Sequence, residues 1–457
     1  MKKYSGIFTL LVASMVIFSS CKKELDLQPT DTFNEANAYL TLDDIQQGVN
    51  TAYGRHAGAV ANDMYANSLT SDEARIGSGN AGSGQIEYRF GYRSDATTGS
   101  GVQGSFGAYY GVIDQVNRVL PKIATVSGFP NDGPVRDNYR GQLLALRAIS
   151  YFGLIQAFSG VYDPAGMGVP IVLDVDPFRQ PARNTMGEVM AQIEADMAEA
   201  KTLLPTPTAA DYVDTTLNYL NTTAFHARIA LYRKDYDAAI AYATEVISSN
   251  VRPLVSGTDF QNIWDDVVFH ETLFRTKSRY GGALTSAGGT IHFAPSDKLV
   301  STYSNQDVRL FTYIGINGSG DYYVEKFFPA VYMKPSRTAE MYLIRAEANA
   351  RKATPDIAAA AADLNLLRTN RIAGYTNETF TDVNILINAI MEERYKELAF
   401  EGFRFFDLKR NGLPVQRGAT DANPEWRTLL PESHLFVYPV PNDEILANPN
   451  FIQNTGY

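Results

Sequence analysis

The sequence predicts an all-α protein built from about four antiparallel helix pairs, with two long irregular segments set between them. Three observations carry this expectation. Between Leu217 and Asn250, Ala224, Ala227, Ala230 and Tyr232 line one helix, and Tyr236, Ala239, Ile240, Ala243 and Ile247 line a second. The same scheme returns between Thr338 and Arg371, as EMYLIRAEANAR, a turn at Pro355, and IAAAAADLNLLR. In ILINAIMEERYKELAFEGFRFFDLKRNG, Ile387, Ile390, Met391, Arg394, Tyr395 and Leu398 mark one helical face before Gly402 interrupts it.

The N-terminal residues read as a secretory signal over 1–20. Lys2 and Lys3 precede an apolar run from Ile7 to Phe18, and Ser19 and Ser20 follow. The run is shorter than the about 20 residues a membrane-spanning helix needs. Next stands Cys21, the one cysteine of the chain, and Phe-Ser-Ser-Cys resembles a bacterial lipobox. Lipid attachment at Cys21, with acyl chains such as palmitate, is therefore expected, followed by a charged tether over 21–33. The formal charge of −10 becomes −12 once Lys2 and Lys3 leave. An acidic chain without a basic run argues against nucleic acid as a partner.

A single domain is expected over 34–457, with an N-terminal part to 220 and a C-terminal part from 221. Its opening helix is expected from Asn34 to about Tyr53. The pattern then changes over 57–104, rich in Gly, Ser, Asn and Tyr, which reads as long ordered loops. Helices follow at Phe106–Ile123, Asn138–Phe158 and Thr185–Leu204, with Pro205 as a stop. A short apolar crossing, VPIVLD, lies between the last two. The second irregular block spans 264–333. After the final helices, Pro439, Pro441 and Pro449 forbid a continuous helix, so that segment is expected as a surface strap.

The chemistry is sparse. Gly77–Gly82 and Gly99–Gly104 both match G-x-G-x-x-G, and the second opens a helix, but YRSDATT before Gly99 is no buried strand, so the glycines read as flexible loop. The five histidines are scattered, and there is no H-E-x-x-H, nucleophile elbow or EF-hand spacing. Glu397 and Glu401 lie one turn apart beside Arg394 and Arg404. They read as a structural ion-pair network, lacking the opposed geometry of a glycosidase pair. No catalytic residue, metal or cofactor is assigned.

What remains is the aromatic content of the irregular blocks. A sugar ring has an apolar C–H face and a polar rim, so its binder needs flat aromatic platforms flanked by charged or amide groups. The first block offers Tyr65, Tyr88 and Tyr92 with Asp72, Arg75 and Arg89. The second offers Tyr303, Tyr313, Tyr322 and Tyr323. Phe327 and Phe328 are assigned to the core.

Two resemblances sharpen this reading. KDYDAAIAYATEVI resembles the second half of a tetratricopeptide repeat, whose period is about 34 residues. ERYKELAFEGFRFFDLKR, YYGVIDQVNRVL and the closing YPVPNDEILANPNFIQNTGY together resemble the SusD/RagB family of outer-membrane nutrient-binding lipoproteins. That resemblance implies a tetratricopeptide-like scaffold with ligand-binding loops in the two irregular blocks. It further implies an oligosaccharide ligand, or in one branch a peptide, and a lid-like seat on a TonB-dependent, SusC-like transporter. The protein would then be non-enzymatic and lipid-anchored at the outer membrane, facing the exterior. A pure interaction scaffold and a glycoside hydrolase remain as alternatives.

Overall fold

The computed structural model describes residues 38–95, 101–282, 284 and 290–457. The predicted signal segment, Cys21, the tether and the start of the predicted first helix lie outside the described residues.

Eight long helices form four consecutive antiparallel pairs, as the sequence predicts. They are α1 Leu42–Thr70 with α2 Gly101–Val119, α3 Gly133–Phe158 with α4 Met186–Leu203, α5 Tyr219–Tyr232 with α6 Tyr236–Ser249, and α7 Thr338–Arg351 with α8 Ile357–Arg371. Helix α9, Val383–Glu397, packs on α7 and α8. A short α10, Arg404–Arg410, follows the break at Gly402 (φ 86°), a left-handed position that favours glycine. Reciprocal capping boxes start α1 (Thr41 with Asp44) and α4 (Thr185 with Glu188). Between α5, α6 and α7, Ala224, Ala227, Ala239, Ala243 and Ala348 are fully buried. Small side chains there let the helix backbones approach closely.

Helix α1 departs from expectation. It runs on to Thr70, through a stretch read as loop. Ala57, Ala59, Met64, Ala66, Asn67, Ser68, Leu69 and Thr70 are all buried. Where a helix is covered on all sides, as over Ala66–Thr70, it shows no polar face and its period is hidden in the sequence. Its end is fastened from far along the chain. The Asn67 amide donates to the Gly402 carbonyl at 3.0 Å, and the Tyr438 hydroxyl donates to Asn67 Oδ1 at 2.7 Å. Tyr438 belongs to the predicted strap, and its ring stacks on Phe405 at 5.3 Å.

The charged end of α9 is architecture, as expected, although its partners differ from those the sequence suggested. Glu397 accepts from Arg309 (3.1 Å), Arg337 (2.9 Å) and Arg371 (3.0 Å), all fully or almost fully buried. Glu401 takes Arg337 and Lys326. The sequence neighbours pair elsewhere: Arg394 with Asp407 at 2.9 Å, and Arg404 with Asp72 at 2.7 Å. Burial pushes the Glu397 carboxyl up. Arg371, Arg337 and Arg309 outweigh that and hold it far below the usual carboxylate range. The second block is irregular, with short strands. Phe327 is core, but Phe328 is 39% exposed, against expectation, its ring edge-on to Tyr323 at 6.1 Å.

Candidate ligand-binding face

The two irregular blocks, far apart in sequence, meet in space. Strand β1, Ala74–Ile76, pairs antiparallel with β2, Phe293–Pro295, in the register Arg75↔Ala294. A hairpin of β3, Ile314–Ile316, and β4, Tyr322–Val324, packs beside them. Gly77 makes this contact possible, because a Cβ there would fall 2.3 Å from the Ile291 carbonyl oxygen. Gly77 and Gly79 thus serve chain packing against 290–291. Ser78 Oγ donates to Asp321 Oδ2 at 3.1 Å, tying the first block to the hairpin.

A third segment completes the face. The loop around 416–428 is held by Asp421, which accepts from the Asp297 amide at 2.6 Å. Arg417, buried beneath, donates to the carbonyls of Leu69, Ser71, Tyr88 and Trp426. Burial pulls its guanidinium down to about 10, against the opposing influence of Tyr88, Asp72, Tyr92 and Asp421. Above it the Arg89 guanidinium lies 4.3 Å over the Trp426 ring. Arg89 is exposed and Trp426 half-buried.

The structure divides the sequence-predicted residues sharply. Tyr65, Arg75, Arg89, Tyr322 and Tyr323 keep part of their surface open. Tyr65 stands edge-on to Phe293, and Arg75 pairs with Asp297 at 3.4 Å. Asp72, Tyr88, Tyr92, Tyr303 and Tyr313 are buried and offer no platform to a ligand. Each has a structural task instead. Tyr303 and Tyr313 donate to the carbonyls of Lys396 and Glu397, satisfying the end of α9. The Tyr88 and Tyr92 hydroxyls donate to the carbonyls of Asp421 and Leu435, pinning the loops that carry the face. Asp72 takes Arg404 and Lys298.

Asp72 and its neighbour Glu73 form a carboxylate pair whose proton affinities are pushed apart in the manner of an acid and a base. Burial lifts Glu73 to about 7. For Asp72 the same push is outweighed by Arg404 and Lys298, which hold it down. Both side chains, however, have no solvent exposure. Among the described residues no group of three His, Cys, Asp or Glu side chains stands ready to hold a metal.

Trp426 was not anticipated from sequence. The chain has only two tryptophans, and this one sits in TDANPEWRTLLPESH, a stretch too rich in turn residues for core. That combination is the signal which could have found it.

Helix pairs carrying a loop-built surface, with stacked aromatic and charged groups, define a helical-repeat protein. Comparison with known proteins narrows the class. A model described as "SusD family" matches residues 330–457, and one described as "Starch-binding associating with outer membrane" matches 23–231. SusD-like protein P2 of Formosa agariphila is 24% identical over an alignment covering both chains fully. SusD-like protein P38 of the same organism is 23% identical over 288 residues, 60% of this chain and 51% of that protein. This chain thus matches about half the length of P38. Among solved structures, a putative sugar binding protein from Bacteroides vulgatus superposes with a TM-score of 0.78 at 25% identity, covering 92% of this chain and 99% of that one. A laminarin-binding SusD-like protein shares the fold, with a TM-score of 0.70 at 20% identity, covering 92% and 100%. The chain belongs to the SusD/RagB family, and the descriptions matched support glycan binding and association with the outer membrane.

Proposed function

We propose that this protein captures an oligosaccharide on the face built from Arg75, Arg89, Asp321, Tyr322 and Trp426, and delivers it to a TonB-dependent, SusC-like transporter. The observation that carries this reading is the Arg89–Trp426 stack, on a loop whose Trp426 carbonyl is held by buried Arg417 and whose Asp421 is tied to Asp297, the ion-pair partner of Arg75. A sugar laid there gains contact with a fixed ring and finds charged groups at its rim. Acylation at Cys21 would keep the protein at the outer membrane, facing the exterior.

Capture and release need no bond to be made. The carboxylates best arranged for acid–base work, Asp72 with Glu73 and Glu397 with Glu401, lie buried, and Asp72, Glu397 and Glu401 are each paired with cations, which supports a non-enzymatic role. The test is calorimetric titration of the 22–457 protein with a panel of purified oligosaccharides, each mixture checked afterwards for cleavage. Saturable binding without turnover is expected. Product formation would overturn the non-enzymatic reading, and silence across the panel alongside binding of peptides would overturn the glycan one.

A further inference from the structure

A second site with the features of a sugar cleft lies elsewhere on the molecule. It is an open cleft of about 580 Å³ between α2, the crossing over 170–181 and the strap over 444–451. That volume falls within the range typical of small-ligand sites. It shares no residue with the face described above.

The floor is aromatic. Phe106 packs against Tyr110 at 4.8 Å and against Phe451 at 5.8 Å between ring centroids. At the mouth stands Phe178, 90% exposed, the most exposed of the large apolar side chains among the described residues. A lone surface phenylalanine needs no explanation, but this one is held in place. Its amide donates to Asp176 Oδ1 at 3.0 Å, prolines flank the turn at 177 and 181, and Arg179 bridges to Asp174 at 2.7 Å. The opposing walls are tied together as well. Gln180 donates to the Ala447 carbonyl at 3.0 Å, and Asn448 donates to that of Pro181 at 2.8 Å.

A ring presented on a braced turn at the edge of an apolar floor, with carboxylate, guanidinium and amide groups nearby, satisfies the requirements of a pyranose: a flat apolar contact on one side and hydrogen-bonding groups around it. Because the walls are already tied, little ordering cost falls on the ligand's arrival. We infer that this cleft is a second carbohydrate-binding site, taking one or two sugar units of an oligosaccharide with Phe178 as the stacking platform. The inference rests on the glycan reading above and adds a separate point of attachment.

The probes are α-1,4- and β-1,3-linked gluco-oligosaccharides, from disaccharide to octasaccharide. Phe178→Trp places a fluorescent reporter at the mouth, where a ring so exposed can be exchanged without disturbing the core. A saturable change in its emission on adding oligosaccharide is expected, as is a two-site isotherm in the parent. Phe178→Ala should lose the second site or weaken it about threefold to tenfold, with the first site unchanged. A parent isotherm with one site, or a Phe178→Ala isotherm identical to the parent's, overturns the second site and leaves the glycan reading standing. If no oligosaccharide binds the parent at all, both fall.

Discussion

The interior around Glu397 and the surface around Arg89 use the same ingredients, guanidinium, carboxylate and aromatic ring, with opposite results. At Glu397 three arginines close on one carboxylate, and Lys326 sits 3.7 Å from the centre of the Tyr313 ring. No charge there is left for a ligand. At Arg89 the guanidinium covers a tryptophan and its outer side meets solvent. Residue type does not separate architecture from recognition here; access to water does. A buried charge is tolerated only when its partners are complete, whereas an exposed one contributes little to stability and stays available.

The largest expected effect that could break this contrast is Glu397→Ala. It leaves Arg309, Arg337 and Arg371 short of a counter-charge, and breaking a buried pair in this way costs about 3–5 kcal/mol. The urea midpoint should fall accordingly, and a parent-like midpoint would show the lattice to be dispensable. The same lattice sets acid behaviour. Burial pushes the Glu393 carboxyl up, but Arg309, Lys396 and Arg368 outweigh it and hold it at about 2. A depressed folded value gives stability that is present above the unfolded value of 4.5 and is lost as pH falls toward 2. Unfolding monitored against pH should show that loss.

Arg417→Met is expected to fall between the two regions. Its four carbonyl acceptors lose a charged donor, costing about 1.5–3 kcal/mol, and the loop holding Trp426 loosens. Stability and oligosaccharide affinity should therefore drop together. Trp426→Ala should separate them: thermal unfolding shifts little, and the affinity of the first site falls about threefold to tenfold. Equal losses of both would place Trp426 with the architecture.

The gentlest signal is expected from Asp63. Burial lifts its carboxyl to about 6, against the hydrogen bonds from Tyr109 and Ser105. This acid favours its protonated form in the folded state, so its contribution is present below the unfolded value of 3.8 and declines as pH rises through about 6. Asp63→Asn should flatten that part of the stability profile.

The helix pairs were legible because tetratricopeptide-like packing writes itself into spacing. Alanines at 224, 227 and 230 and tyrosines at 232 and 236 mark faces that must meet. The second half of α1 was not legible, because its last turns, Ala66 through Thr70, are buried on every side, polar Asn67, Ser68 and Thr70 included. The site was legible as a place and only partly as residues. Tyr322 and Tyr313 look alike in sequence, yet one lies half-open on a hairpin and the other satisfies a helix end. Hydroxyl groups that reach carbonyls 84 to 93 residues away, as those of Tyr313 and Tyr303 do, leave no local trace. Trp426 was overlooked because it lies outside both blocks, brought to the face by Arg417 and Asp421.

The seam at Tyr438 has a kinetic consequence. Its hydroxyl lies between Thr70 and Asn67, 368 and 371 positions earlier in the chain. The α5–α6 and α7–α8 pairs close over short loops and are expected to form early. The seam requires a closure spanning most of the sequence before any contact rewards it. Folding speed is thus expected to depend on one late meeting of distant segments, and an intermediate with its repeats formed but α1 unfastened would be the species most open to proteolysis.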